Sequence, residues 1–418
     1  MDHKKDGLSR RGFLEIGSAA AVSTAGILLT GAANAQSSTL GVRTGRSRSL
    51  TDPGPTDTLL DAANPDSNVP PLTDAGGMPT FKYPFSLANK RVYEGGWSRE
   101  VTVRELPLSK TIAGVNMRLN AGGIRELHWH TAAEWAIMLK GSTRITAVDD
   151  DGRSFVRDTH EGDLWYFPTG IPHSIQGLGP DGGEFLLVFD DGNFSEYATV
   201  LLSDIAAHTP REVLAKNFGV NQPSLETLRR EELFIFQAPV PGPLATDQKT
   251  AAGAFPSSTY DFSFRTKQQK PTMTTSSGEV LIVDSSTFKA STTIAAAIVT
   301  VHPGGMRELH WHQNADEWQY YMSGKGRMTV IDAGARARTM DFEAGDVGYV
   351  QQALAHYIEN TGSEDLRFLE MFKASRYEDL SLSEWLSHTP PELVMAHLNI
   401  DKATYDAIPK EKPVIMPR

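Results

Sequence analysis

The chain has 418 residues, 40% of them hydrophobic and 22% charged, with a formal net charge of −11 and no cysteine. That length allows two cores, and the acidic balance excludes a broad nucleic-acid or anionic-membrane surface. Without cysteine there are no disulfides, thiolate ligands or thiol nucleophiles, so any metal ligands are nitrogen and oxygen.

The first 35 residues read as an address. Ser9-Arg10-Arg11-Gly12-Phe13-Leu14 is a twin-arginine pattern, followed by a weakly apolar run from Ile16 to Thr30 and an Ala-x-Ala site at Ala33-Asn34-Ala35. The run is too short and too rich in Gly, Ser and Thr for a stable spanning helix. Residues 1–35 are therefore expected to be a twin-arginine signal peptide cleaved after Ala35. The mature protein is expected to be periplasmic or secreted, with no membrane span. Residues 36–80 are rich in Ser, Thr, Pro, Gly and Asp without periodicity, which predicts an extended N-terminal arm.

A first domain is predicted over residues 81–237. Its β-like segments are 99–104, 111–119, 135–139, 144–148, 163–167 and 185–189, and helical patterns follow at 201–207 and 210–217. Residues 238–275, with Pro239, Pro241 and Pro243, read as a linker. A second domain over 276–418 repeats the order, with strands at 294–302, 318–322, 327–331, 346–350 and 367–372, then helices at 383–386 and 391–398. Short strands with Gly-rich turns predict an all-β fold, one small antiparallel barrel or jelly roll per domain, with short terminal α-helices.

The strongest signal is a repeat. Gly-Gly-Ile-Arg-Glu-Leu-His-Trp-His at 122–130 returns as Gly-Gly-Met-Arg-Glu-Leu-His-Trp-His at 304–312. The first copy is followed by Glu134 and His173, the second by Glu317 and His356. Three imidazoles and one carboxylate, twice over, is the composition of two metal sites. Strand alternation points His128 and His130 the same way with Trp129 opposite, whereas a helix would separate i and i+2 around its circumference. Glu134 follows a short turn, Thr131 to Ala133, within reach of the same ion. The sets are therefore His128, His130, Glu134 and His173, and His310, His312, Glu317 and His356.

Both domains resemble cupins. The first cupin motif, Gly-x5-His-x-His-x3,4-Glu-x6-Gly, is matched by Gly122, His128, His130, Glu134 and Gly141, and again by Gly304, His310, His312, Glu317 and Gly324. The second motif, Gly-x5-Pro-x-Gly-x2-His-x3-Asn, is matched by Gly162, Pro168, Gly170 and His173, with Gly177 in place of Asn. The other copy keeps Gly345, His356 and Asn360, with Gln351 and Ala353 in the Pro and Gly positions. Within two-domain cupins the chain resembles the oxalate decarboxylases, in the runs Arg-Glu-Leu-His-Trp-His, Glu-Gly-Asp-Leu-Trp-Tyr-Phe-Pro, Phe-Leu-Leu-Val-Phe-Asp-Asp-Gly and Ala-Gly-Asp-Val-Gly-Tyr-Val.

The resemblance covers roughly residues 80–415 and implies two tandem cupin barrels of the double-stranded β-helix type. It also implies manganese in each barrel (two ions per chain), dioxygen as co-catalyst, cleavage of oxalate to formate and carbon dioxide, and a homo-oligomer, trimeric or hexameric. It gives oxalate binding to Arg125 and Arg307. A proton-shuttle role falls on Glu196 in a mobile lid, Ser195-Glu196-Tyr197-Ala198-Thr199, where Tyr197 and Ala198 replace the usual Asn and Ser.

The chemistry is consistent with those roles. Oxalate monoanion resists losing carbon dioxide because the electron pair would stay on an unstabilised formyl carbon. Withdrawing one electron through a redox-active ion removes that obstacle, which disfavours zinc and leaves iron open on ligand type. Arg125 falls on the opposite strand face by alternation, and a bulge would turn it inward to pair with a carboxylate. Decarboxylation without net oxidation needs a proton at the leaving carbon, hence a nearby carboxyl acid. Glu196, whose counterpart in the repeat is Arg376, supplies one. Glu370 lies in an apolar strand where the first domain has Leu187. An unpaired Glu is costly there, so it is expected to face the metal pocket, as a second catalytic acid or as a partner of Tyr377. Trp129 and Trp311 read as packing residues or as electron carriers. The first domain is expected to be the main site of turnover. The alternative activity is an oxalate oxidase releasing carbon dioxide and hydrogen peroxide. A storage or sugar-binding two-cupin protein is disfavoured by two complete ligand sets.

Overall fold

A computed structural model describes residues 57–253 and 256–417. The expected signal peptide and residues 36–56 of the expected arm lie outside the described residues. The rest of the arm carries two short helices, α1 (Thr58–Ala63) and α2 (Pro65–Asn68), the first capped by the Asp57 carboxylate, which accepts from the Leu59 and Leu60 amides. The arm crosses the second barrel: Asp66 pairs with Arg327 at 2.6 Å, and Asp74 accepts from the Thr339 amide and hydroxyl.

Nine strands follow after β1 (Lys82–Pro84): β2 (Arg91–Tyr93), β3 (Gly96–Val101), β4 (Ala113–Leu119), β5 (Gly123–Trp129), β6 (Glu134–Val148), β7 (Ser154–His160), β8 (Asp163–Phe167), β9 (His173–Gly177) and β10 (Gly183–Phe189). One face runs β2-β3-β4-β10-β6-β8, and the other joins β7, β6, β9 and β5. β6 serves both, because its first half pairs with β8 and β10 and its second with β7 and β9. The two segments predicted at 135–139 and 144–148 are thus one strand that turns a barrel corner through Gly141, at φ +75°. The strand predicted over 99–104 stops at Val101, where Thr102 donates its amide and hydroxyl to Glu105 and opens a turn.

The barrel is closed at one end by β11 (Val200–Leu201), α3 (Leu202–His208), α4 (Arg211–Phe218) and β12 (Ile235–Gln237); β11 and β12 both pair with β5. The segment expected as a linker, 238–275, carries α5 (Leu244–Ala251), β13 (Ser263–Arg265) and β14 (Met273–Thr275).

The second barrel repeats the plan with β15 (Gly278–Val283), β16 (Ala295–Val301), β17 (Met306–Trp311), β18 (Glu317–Ser323), β19 (Lys325–Asp332), β20 (Arg336–Glu343), β21 (Asp346–Val350), β22 (Ala355–Asn360) and β23 (Leu366–Phe372). It ends in β24 (Leu380–Ser381), α6 (Leu382–Ser387), α7 (Pro391–Leu398), α8 (Lys402–Asp406) and β25 (Ile415–Met416), with β24 and β25 both pairing with β17.

The barrels exchange strands. β1, ahead of the first barrel, adds to β21 of the second; β13, ahead of the second, adds to β8 of the first. A shared apolar layer lies between them, with Trp135, Tyr166 and Leu186 from one side and Trp318, Tyr349 and Leu369 from the other. Each barrel also has a core of its own, around Met117, Phe167 and Phe185 in the first and Val299, Met328 and Phe368 in the second.

Candidate metal centres

Three strands deliver each ligand set. In the first barrel His128 lies near the end of β5, His130 just past it, Glu134 opens β6 and His173 opens β9. His128 and His173 are direct partners across the β5–β9 ladder, as are His310 and His356 across β17–β22, so each pair projects to one side. All eight side chains are buried, and within each set the ligating atoms lie within 4.8 Å of one another. Glu134 Oε2 is 3.3 Å from His130 Nε2 and 3.5 Å from His173 Nε2. Glu317 Oε2 is 3.1 Å from His312 Nε2 and 2.8 Å from His356 Nε2.

Every imidazole is oriented by a backbone carbonyl at Nδ1: Glu126 for His128, Ala132 for His130, Ile171 for His173, Glu308 for His310, Glu378 for His312 and Leu354 for His356. That fixes the proton on Nδ1 and turns Nε2 toward the cluster. The Nε2 atoms of His173, His310, His312 and His356 are buried without a hydrogen-bond partner, as is Glu317 Oε2. Converging buried acceptors with nothing to bond are what a cation site offers. Burial pushes His128, His173 and His310 down, toward the neutral form; burial acts the same way on His312, but its bond to the Glu317 carboxylate more than reverses it. Burial pushes Glu134 and Glu317 up, but the neighbouring histidines reverse this and hold both well below the usual carboxylate range. Neutral imidazoles and ionised carboxylates are the forms that bind a metal. An all-nitrogen-and-oxygen set of this kind fits manganese or iron.

The second oxygen of each ligating carboxylate has a different keeper. Glu134 Oε1 accepts from the Trp165 indole at 2.8 Å. Glu317 Oε1 accepts from the Gln319 amide at 2.6 Å, and Gln319 in turn accepts from the Tyr321 hydroxyl.

The arginines are turned inward. The β5–β9 register shifts between Arg125 and His128, and the β17–β22 register between Arg307 and His310, so simple alternation fails at both and both guanidiniums are buried. Their surroundings differ sharply. Arg125 donates to the Phe234 carbonyl and lies 4.0 Å from that ring's centre; among the described residues no carboxylate pairs with it. Burial pulls it down to about 10, against the pull of Glu126 and Glu134. Arg307 donates to Glu370, Asp379 at 2.6 Å and the Tyr377 hydroxyl at 2.8 Å. Burial opposes its charge, but these partners hold it well above its ordinary value.

Glu370 is thereby committed to Arg307 and, at 3.1 Å, to Tyr377. Burial pushes its carboxyl up, with Arg307 opposing. Glu196 is not brought into the ligand cluster. It sits on the 3₁₀ turn 196–198, buried, bonded to Arg91 and to Ser98 at 2.8 Å. Its repeat counterpart, Arg376, is exposed and pairs with Asp284. Trp129 and Trp311 are half-buried, and Trp311 packs edge-on against Trp385.

Several residues that shape the sites were not singled out from sequence. Glu126, inside the repeated motif, accepts from the Ser203, Leu233 and Phe234 amides and ties both closing segments to the ligand strand; Glu308 accepts from Val414 in the same way. Their repetition beside the histidines was the available signal. Trp165, Asp379, Arg91 and Ser98 carried none, because each acts through a partner distant in sequence, and Gln319, two residues from Glu317, has no matching polar residue in the first barrel, where Ala136 stands.

Two exchanged barrels, each holding a buried three-histidine, one-glutamate set, define a bicupin metalloprotein. The cupin family model matches residues 85–225 and 264–406. The chain is 54% identical to oxalate decarboxylase OxdC of Bacillus subtilis, over 85% of this chain and 91% of that protein. It is 42% identical to a probable oxalate decarboxylase of Arthroderma benhamiae, over 87% and 90%. A solved structure of the Bacillus subtilis enzyme, described through its Mn(II) centres, superimposes with a TM-score of 0.85 at 51% identity, covering 89% of this chain and 97% of that one. The chain belongs to the cupin family, in its two-domain oxalate decarboxylase branch.

Proposed function

We propose that the protein decarboxylates oxalate to formate and carbon dioxide, with manganese at both ligand sets and dioxygen as co-catalyst. The observation that carries this reading is the first barrel's asymmetry: a buried, unpaired Arg125 beside a complete His128, His130, Glu134 and His173 set. The bound ion, with dioxygen, supplies the one-electron chemistry that lets oxalate lose carbon dioxide. The protein's residues do the rest. Arg125 binds and orients the outer carboxylate of oxalate in a site closed to water. Glu196, swung from its resting place, takes the proton of the oxalate monoanion and returns it to the carbon that becomes formate, so HC₂O₄⁻ yields HCO₂⁻ and CO₂ without net oxidation. In the second barrel Arg307 is already neutralised by Glu370 and Asp379, which disfavours a second anion there. The first barrel is accordingly the main site of turnover, and Glu370 serves to hold Arg307.

Incubating manganese-loaded protein with oxalate in air, and measuring formate, carbon dioxide and peroxide, tests this. Oxalate oxidase is the second reading, favoured by one observation: Glu196 rests away from the ligand cluster. Peroxide as the main reduced product would select it. Export by the twin-arginine route is inferred from Arg10 and Arg11 and the Ala33-Asn34-Ala35 site, and N-terminal sequencing of the mature protein checks it. Homo-oligomerisation is supported by exposed Leu127, Leu202, Trp385, Leu393 and Leu398; trimer or hexamer is what the resemblance to two-domain cupins implies, and sedimentation measures it.

A further inference from the structure

The resting place of Glu196 is built by residues that the reaction scheme does not use. Arg91 on β2 and Ser98 on β3 are direct partners across an antiparallel hairpin, so their side chains rise on the same side. Both donate to Glu196 Oε2, the serine hydroxyl at 2.8 Å. The other oxygen, Oε1, is buried without a hydrogen-bond partner. Leaving one carboxylate oxygen bare is unfavourable, so this seat holds the acid without fully satisfying it.

Arg91 also grips the rest of the lid. Its guanidinium lies 4.7 Å from the ring centre of Tyr197 and 5.7 Å from that of Phe234, contacts that a planar cation favours. The Phe234 ring in turn carries Arg125 at 4.0 Å, and its carbonyl accepts from the same arginine. Glu100, 3.5 Å away, keeps the Arg91 guanidinium in place. Lid, seat and substrate arginine therefore share one aromatic ring. The second barrel has no such arrangement, since Arg376 stands in the place of Glu196.

We propose that Arg91, assisted by Ser98, is a positioning residue that sets how often Glu196 leaves its seat for the metal-facing pose. This rests on the reading of Glu196 as proton shuttle and deepens it. One carboxylate cannot occupy both places, so strength in the seat is subtracted from the working population.

The test uses full-length, manganese-loaded protein without substrate, following amide hydrogen exchange over residues 193–200. Ser98→Ala and Arg91→Met each speed exchange about tenfold, the equivalent of losing one charge-assisted hydrogen bond. In a Glu196→Gln background the further effect of either falls to about twofold or less, because the partner charge is already gone. Arg91→Lys restores most of the protection. In turnover, Arg91→Met lowers the peroxide-to-formate ratio about twofold as the working pose gains population.

Unchanged exchange in both single variants overturns the proposal. So does an equal effect with and without the Glu196 carboxylate, which marks general loosening. A ratio that rises overturns it too, because Arg91 would then hold Glu196 ready rather than back. The expected exchange pattern with an unmoved ratio keeps the seat and removes the proton-shuttle reading instead. Should Arg91→Met fail to fold, Ser98→Ala, which deletes a single hydroxyl, decides alone.

Discussion

Two arginines with the same motif and the same bulge have opposite fates, and their partners decide it. Arg125 keeps its charge available, so Arg125→Met is expected to lower kcat/KM by about 10²-fold, the loss of a bidentate carboxylate contact, while thermal stability changes little. Arg307→Met removes the cation paired with the buried Glu370 and leaves Asp379 to Lys412, and is expected to destabilise by about 3–5 kcal/mol, read as a fall in denaturation midpoint. Asp379 adds a pH signature. Burial pushes its carboxyl up, but Arg307 and Lys412 more than reverse this and hold it below 3.8, its ordinary value. A depressed carboxyl contributes stability that is present above its unfolded value and lost as pH falls through the folded one. Asp379→Asn should therefore lower stability at neutral pH and flatten its loss in acid; parallel acid limbs would contradict this. The departures from the second cupin motif also have reasons. Ala353 has φ +64° where the first barrel has Gly170 at +75°, and both amides donate to the carbonyl of the second motif histidine, His312 or His130. Ala353→Gly is expected to raise stability by about 0.5–1 kcal/mol by relieving that left-handed strain. At Gly177 a Cβ would stand 2.1 Å from the Asn120 carbonyl oxygen, so the Asn found in the other copy, Asn360, has no room. The ligands were legible because they repeat in local sequence, whereas the fate of each arginine was not, since Asp379 and Tyr377 lie about seventy residues from Arg307.

Among the elements, long apolar strands were the readable ones. β8 and β21 fall on the predicted residues, and β4, β16 and β23 within one or two of them, because each is a mostly apolar segment bounded by a Gly-containing turn. Other elements were hidden for physical reasons. β1 and β13 are three residues each and form only because an edge strand of the other barrel receives them. β6 reads as two segments since Gly141 and its polar neighbours interrupt the apolar pattern at the corner. The bulge in β5 could be named as a requirement but its surroundings could not be read, since β12 pairs with Arg125 from more than a hundred residues away.

For the whole molecule, strand exchange and the shared apolar layer make the two barrels one folding unit. Calorimetry is expected to show a single transition, and Trp318→Ala, which empties a fully buried site in that layer, should lower it by about 3–5 kcal/mol without splitting it. Two resolved transitions would mean the barrels fold independently. The fold repeats the ligand set, while its surroundings differ: Arg125 has no carboxylate partner among the described residues, and Arg307 is paired with Glu370 and Asp379. The central claim is that this asymmetry serves metal-dependent loss of carbon dioxide from oxalate. The most direct measurement is product stoichiometry per oxalate consumed, in air, for manganese-loaded and metal-stripped protein. The loaded protein should yield formate and carbon dioxide in equal amounts with little peroxide, and the stripped protein should be inactive until manganese is restored. Peroxide matching oxalate consumed, or turnover indifferent to metal, would contradict the account.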